Sequence, residues 1–446
     1  MIENRSEITR TEAHDLALDC LAGGIEAAHP STVTRKSIDY DGETLTIAGM
    51  AYDLSEFERI TVLGGGKAAA QVTSALEGIL GDEIESGHVV TSNPVTTETV
   101  TVGQGGHPIP TEAGVEETER IRELATAADE RTLVLAVITG GGSALMALPA
   151  DGIDLADLQS VTDALLESGA TIHDINAVRK HLSAIKGGRL ARAAAPATVA
   201  GVIISDVVGD DLDVIASGPT VPDRSTFEEA LSVLERYEID APGAVRERLD
   251  RGRRDEVTET PKPGDSAFDR VDNHIIANTR TAIDGARRVA AERHYQTLVL
   301  TSRLRGEARE LAKTQVAIAE ECVANGDPVE PPCVVLAGGE STVTISGSGI
   351  GGPNQELAVG AAIEGRSTPF VLASVDTDGR DGSTEAAGGI IDGTTVDRIE
   401  PAQAALADND AYPYLNARRS LIRTGDTGTN VNDLLVMVID PALTEA

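Results

Sequence analysis

The stretch ITVLGGGKAAAQV, Ile60 to Val72, sets three glycines and a lysine between an apolar run and a helical one. Gly64, Gly65 and Gly66 can turn backbone N–H groups toward an anion, and Lys67 precedes a helix whose N-terminus favours negative charge. A phosphate cradle and a bare strand-to-helix turn account for these residues equally well. The Walker A pattern G-x-x-x-x-G-K-[ST] fails, because Ala68 follows the lysine. The dinucleotide fingerprint is matched by Gly64, Gly66 and Ala69, but the next strand, HVVTSN from His88 to Asn93, has no carboxylate for a ribose. A nicotinamide cofactor is therefore disfavoured. Lysine usage tips the balance at Lys67. The chain has six lysines against 31 arginines, and Lys67, Lys180 and Lys186 all lie in or beside Gly-rich segments. A lysine kept where arginine is the rule points to a need for a compact ammonium.

Four further segments carry chemistry. In TGGGSAL, Thr139 to Leu145, residues Gly141, Gly142 and Ser143 can offer a hydroxyl and N–H groups to an oxyanion or phosphate. The G-x-S-x-G elbow does not fit, so binding is favoured over nucleophilic catalysis. NAVRKHLSAIKGGRLA, Asn176 to Ala191, reads as one two-faced helix. Val178, Leu182 and Ile185 share the apolar face; Asn176, Arg179, Lys180, Ser183 and Gly187 share the other. A polar face is normally only solvated, but here it gathers cations, which suits a carboxylate or phosphate. SDVVGDD places Asp206 after a buried strand, and DTDGRDG places Asp378 after another. Carboxylates at strand ends suit Mg²⁺, which takes one or two of them and fills its shell with water and phosphate oxygens. Several anion loops with a Mg²⁺ site, and no dinucleotide acid, point to phosphoryl transfer from ATP.

The elements that must position these residues alternate strand and helix, so the fold class is α/β with parallel construction. Strands are expected at Ile60–Leu63, His88–Thr91, Leu133–Ile138 and Val199–Ile204, each followed by Gly or polar residues and then a helix. RGRRDEVTETPKPGDSAFD, Arg251 to Asp269, reads as a linker or long surface connection. Beyond it, strands are expected at His274–Ala277, Thr297–Thr301, Cys333–Ala337, Thr342–Ile345, Phe370–Val375 and Leu434–Ile439. Cys333–Ala337 and Thr342–Ile345, joined by GGES, look antiparallel, so the second sheet is expected to be mixed. Ligands of open parallel sheets sit beyond the carboxyl ends of the strands, where the glycine and carboxylate segments recur.

The chain has 446 residues and a formal net charge of −35, which opposes nucleic acid and anionic membranes as partners. Acid excess, scarce lysine and absent Trp suit a protein working in concentrated salt, where the Debye length shrinks to about 3 Å at about 1 M. Cys20, Cys322 and Cys333 show no metal spacing and, being odd in number, no disulfide framework. The N-terminus lacks a signal-sequence pattern, and no apolar run approaches the ~20 residues of a membrane span. A soluble cytoplasmic protein is expected.

Together GGGKAA, TGGGSAL, INAVRKHLSAIKGGRLA, SDVVGDDLDVIASGPTVPD, GGESTVTISGSGIGGPNQELA, SVDTDGRDGSTEAAGG and GDTGTNVNDLLV resemble the glycerate kinases that form 2-phosphoglycerate, some of which carry an older hydroxypyruvate reductase label. The resemblance runs from about Ala13 to the C-terminus. It implies two α/β domains, an N-terminal Rossmann-like one over 1–255 and a C-terminal one with a mixed sheet over 270–446, with the active site in the cleft between them. It implies D-glycerate and ATP as small-molecule substrates, Mg²⁺ as cofactor and a homodimer as a candidate assembly. The family's proposed catalytic lysine falls on Lys67. Arg179 and Lys180 would hold carboxylate or phosphates, Asp206 and Asp378 the metal, and Asn354 would join the phosphate-binding set. The family's second proposed residue is an arginine in G-G-R-N-Q-E, where this chain has Pro353. Proline suits a first helical position, so a helix N-terminus at Pro353 is expected to stabilise an anion through backbone N–H groups. An NAD(P)H-dependent hydroxypyruvate reductase and a kinase of another short hydroxy acid are the alternatives.

Overall fold

A computed structural model describes residues 1–444. Two compact units divide the chain, one from Val33 to Ile276, the other combining Met1–Thr32 with the chain from Ala277 onward. The first holds a six-stranded sheet, β1 (Arg59–Gly65), β2 (Ile84–Thr91), β3 (Thr101–Gln104), β4 (Thr132–Ile138), β5 (Thr198–Ile204) and β6 (Val271–Ala277). Their order is β3-β2-β1-β4-β5-β6, and the ladders from β3 through β5 are parallel. Every residue of β4 and β5 is buried, as their unbroken apolar runs require of parallel strands covered on both faces. The order reverses between β1 and β4. In doubly wound sheets the crevice beyond that switch is where ligands bind. A small three-stranded antiparallel sheet spans residues 38–53.

The second unit also carries six strands, β7 (Gln296–Glu307), β8 (Cys333–Thr342), β9 (Phe370–Asp376), β10 (Gly388–Asp392), β11 (Leu421–Ile422) and β12 (Asp433–Ile439), in the order β7-β8-β12-β9-β10-β11. β7 and β8 are parallel and the other pairs antiparallel, so this sheet is mixed. The mixture does not arise from the expected hairpin. Gly338 to Ser341 is no turn: β8 runs straight through it, pairing with β7 on one side and, as far as Gly339, with β12 on the other. Gly339 has φ 150°, and a Cβ there would fall 2.3 Å from the Leu304 backbone, so only glycine continues the strand.

The units also fall differently from the expected 1–255 and 270–446. Helix Glu12–Ala27 packs on helix Thr279–Glu292 and on β9 and β12, burying Leu16, Leu21 and Ile25. A Cβ on Gly23 would sit 2.4 Å from Val289, and one on Gly24 2.5 Å from Leu434. Residues 251–269 lie inside the first unit rather than between the two. Glu259 bonds His181 at 2.7 Å and Asp265 bonds Arg192 at 3.2 Å, after which the chain enters β6. All three cysteines are buried free thiols. Among the described residues no helix is long and apolar enough to cross a membrane.

Candidate active site

The ends of β1, β4 and β5 bring three of the expected residues together. The Lys67 N–H donates to the Gly140 carbonyl at 2.8 Å, and Thr91 Oγ1 donates to the Lys67 carbonyl at 3.0 Å, fixing the lysine backbone at the tip of β1. Asp206 follows β5 so closely that a Cβ on Gly140 would lie 2.2 Å from its Oδ2. Burial pushes the Asp206 carboxyl upward, and its own backbone N–H, the Lys67 ammonium and the Gly141 N–H pull it back. The glycines before Lys67 have reasons of their own. A Cβ on Gly64 would strike the Val137 carbonyl at 1.9 Å, and one on Gly66 the Thr139 hydroxyl at 2.2 Å. Close strand packing accounts for both; neither position needs a ligand to explain it.

Ser143 opens the short helix Gly142–Leu145, and its Oγ lies 2.9 Å from Ser217 Oγ, which donates to Asn176 Oδ1 at 2.9 Å. Asn176 is thus coupled to Ser143 through Ser217, and its buried Nδ2 has no protein partner among the described residues. Ala216, Ser217 and Gly218 are consecutively left-handed at φ 50°, 62° and 63°. Two of the three are not glycine, the kind of backbone strain that gathers at ligand sites.

The segment from Asn176 to Ala191 is not one helix. Helix Ile172–His181 stops at Leu182, Ser183 Oγ accepts the N–H groups of Ile185 and Lys186, and Gly187 and Gly188 turn left-handed before helix Arg189–Ala194. The break separates the cations that one helical face would have grouped. Lys180 is fully buried and ion-paired to Asp213 and to Asp223, the latter at 3.3 Å, so its ammonium is committed to the protein and not to a substrate. Arg179 instead lines a cavity of about 210 Å³. Burial alone lowers its pKa, and no hydrogen-bond or ion-pair partner meets it among the described residues.

Lys186, which the sequence singled out only by its type, lines the same cavity. Its Nζ donates to the Met146 carbonyl at 2.8 Å. Burial, then the Arg179 charge, hold its pKa down to about 7. His107, Gly141, Ser143, Thr162 and Ser183 add to the polar lining, with Leu148, Leu158 and Leu166 on the apolar side. No carboxylate lines it among the described residues. The scarcity of lysine was the signal available for Lys186; His107 had none.

Asp378 and Asn354 belong to the second unit. Asp378 lies in the loop after β9, where its N–H donates to Asp376 Oδ1 at 3.0 Å and its Oδ1 accepts the Arg380 N–H at 2.9 Å. The Asn354 side chain is buried and spent on the protein. Its Nδ2 donates to Asp433 at 2.7 Å and Asp381 at 3.2 Å, and its Oδ1 accepts from Ser374 at 2.5 Å. That occupancy corrects its place in a phosphate-binding set. A helix does begin at Pro353, running to Glu364, but Asp381 takes the N–H groups of Asn354 at 3.0 Å and Gln355 at 2.8 Å. The expected anion site at that N-terminus is therefore filled by a carboxylate of the chain itself. Among the described residues no group of three or more His, Cys, Asp or Glu side chains is gathered to hold a metal.

Comparison with known proteins gives the family. Residues 16–250 match the family described as a domain of unknown function, DUF4147, and residues 333–433 match the MOFRL family. The D-glycerate 2-kinase of Thermotoga maritima is 39% identical over 435 residues, covering 95% of this chain and 98% of the relative. The glycerate 2-kinase of Pyrococcus horikoshii is 38% identical over 437 residues, covering 96% and 98%. The crystal structure of the Thermotoga maritima glycerate kinase superposes with a TM-score of 0.83 at 37% identity, covering 95% of this chain and 99% of that one. This chain belongs to the glycerate 2-kinase family.

Proposed function

We propose that this protein transfers the γ-phosphoryl group of ATP to the 2-hydroxyl of D-glycerate, giving 2-phosphoglycerate and ADP. The observation that carries the reading is Arg179, a guanidinium that, among the described residues, has no protein partner and faces a cavity without carboxylates. Such a group is satisfied by an anionic ligand. Arg179 would hold the acid's carboxylate, with Ser143 beside it for a hydroxyl. Lys67, at the tip of β1 next to Asp206, would neutralise charge developing on the transferring group, which phosphoryl transfer needs more than covalent help.

Asp206 is the residue of this unit that fits Mg²⁺. It is a single carboxylate at a strand end beside glycine N–H groups, and Mg²⁺ is held by one or two carboxylates with the rest of its shell from water and phosphate. Bound there, Mg²⁺ would supply charge neutralisation at phosphate oxygens. A nicotinamide reductase finds no support, since the end of β2 offers no ribose-binding acid.

A coupled assay tests the reading. With D-glycerate, ATP, Mg²⁺ and KCl, ADP should form, and enolase alone should turn the product into phosphoenolpyruvate. A need for phosphoglycerate mutase would move the transfer to the 3-hydroxyl. NADH oxidation with hydroxypyruvate, and no ADP, would replace the kinase by the reductase.

A further inference from the structure

We infer that Lys186 recognises the carboxylate of the incoming acid jointly with Arg179, taking up a proton from solvent as that anion enters. The inference rests on the kinase reading for the identity of the acid, and on the cavity for the rest. Lys186 is 5% exposed, and the Met146 carbonyl is its hydrogen-bond acceptor. Few charged groups face it. Arg179 comes from helix Ile172–His181, His107 from the loop before Pro108, and no Asp or Glu lines the cavity among the described residues.

Burial and the neighbouring guanidinium both act against the ammonium, which titrates at about 7 instead of 10.5. At about pH 8 the empty cavity therefore holds mostly a neutral amine beside one cation. An anion placed between the two side chains reverses both effects. The amine then takes a proton from the buffer, RNH₂ becoming RNH₃⁺, and two cations hold one carboxylate while Met146 still accepts an N–H. The sequence neighbour Lys180 cannot act this way, because Asp213 and Asp223 already hold its charge. Proton uptake makes the cavity selective by charge: an acid draws the proton in, whereas an alcohol or aldehyde of the same shape leaves the amine neutral.

Titration calorimetry of the full chain with D-glycerate tests this, using two buffers of different ionisation heat, neither a carboxylate nor a phosphate. Close to one proton per acid bound is expected at about pH 8, falling toward none at about pH 6. Lys186→Gln keeps an N–H for Met146 but cannot titrate, and Lys186→Met is the apolar control. Both should bind the acid roughly 10- to 100-fold more weakly without proton uptake, the size of a lost charged hydrogen bond. If the methionine variant does not fold, the glutamine variant decides. Wild-type binding without proton uptake at about pH 8, or a glutamine variant of unchanged affinity, overturns the inference and leaves the kinase reading standing. Failure of D-glycerate to bind, while another hydroxy acid drives the same uptake, overturns the substrate and leaves Lys186 in its role.

Discussion

Arg179 closes the last turn of helix Ile172–His181, and Asp381 sits at the first turn of helix Pro353–Glu364. Each is a charge withdrawn from water, and their surroundings differ. Asp381 accepts two backbone N–H groups and an amide, yet burial still lifts its carboxyl to about 7. Arg179 has no protein acceptor at all among the described residues. A buried charge ringed by donors is architecture, because the fold itself supplies its partners. A charge facing a cavity with none is a site, because something outside the chain must supply them. Lys180, adjacent to Arg179 in sequence, belongs with Asp381.

Four experiments can break or sharpen that contrast. Lys180→Met should have the largest effect on stability, about 3–5 kcal/mol in urea unfolding, because it strands Asp223 in the interior. Its turnover per folded molecule should stay near normal. Arg179→Ala should do the opposite, lowering kcat/KM by about 10²-fold or more with an unchanged or higher Tm. If it instead destabilised the protein as Lys180→Met does, without touching kinetics, the contrast would collapse.

Asp381→Asn should cost about 1 kcal/mol, since asparagine still caps a helix but offers one fewer acceptor. Its pH dependence carries a sign. A carboxyl raised from 3.8 to about 7 binds more protons folded than unfolded across that window, so its contribution to stability declines as pH rises through it. The deficit of Asp381→Asn relative to wild type should therefore shrink between about pH 5 and about pH 8, as paired melts would show. The smallest effect per residue is that of salt. Tm should climb with KCl toward molar concentration, because screening relieves exposed repulsion in a chain of charge −35. A flat profile would remove the high-salt reading and leave the buried groups untouched.

What the sequence made legible follows the same division. Lys67 at a strand tip and the helix start at Pro353 were readable because apolar runs, glycine and proline act on their immediate neighbours. The partners of Lys180 were not, because Asp213 and Asp223 lie 33 and 43 residues away and look like any other acid in so acidic a chain. Val178, Leu182 and Ile185 fit a helical stripe, yet Val178 is buried within the helix, Leu182 at its end and Ile185 beyond the break. Period alone could not tell a continuous helix from a loop that folds its apolar residues inward. Gly338–Ser341 misled for a related reason. Glycines that mark turns on a surface mark close strand approach in the middle of a sheet.

The grouping of residues 1–32 with the chain beyond Ala277 has a consequence for synthesis. Near the N-terminus, the Glu3 N–H donates to the Arg423 carbonyl at 2.8 Å, and Thr429 Oγ1 donates to the Ala28 carbonyl at 2.8 Å, some 401 residues apart. A ribosome adding about 5–20 residues per second needs roughly 20–80 s to travel that distance. Throughout that interval helix Glu12–Ala27 has emerged with Leu16, Leu21 and Ile25 uncovered, while the Val33–Ile276 unit can already close around its own core. Helix Glu12–Ala27 is made long before the strands it packs on, and a nascent chain of this protein presents its apolar face to a chaperone until β12 is complete.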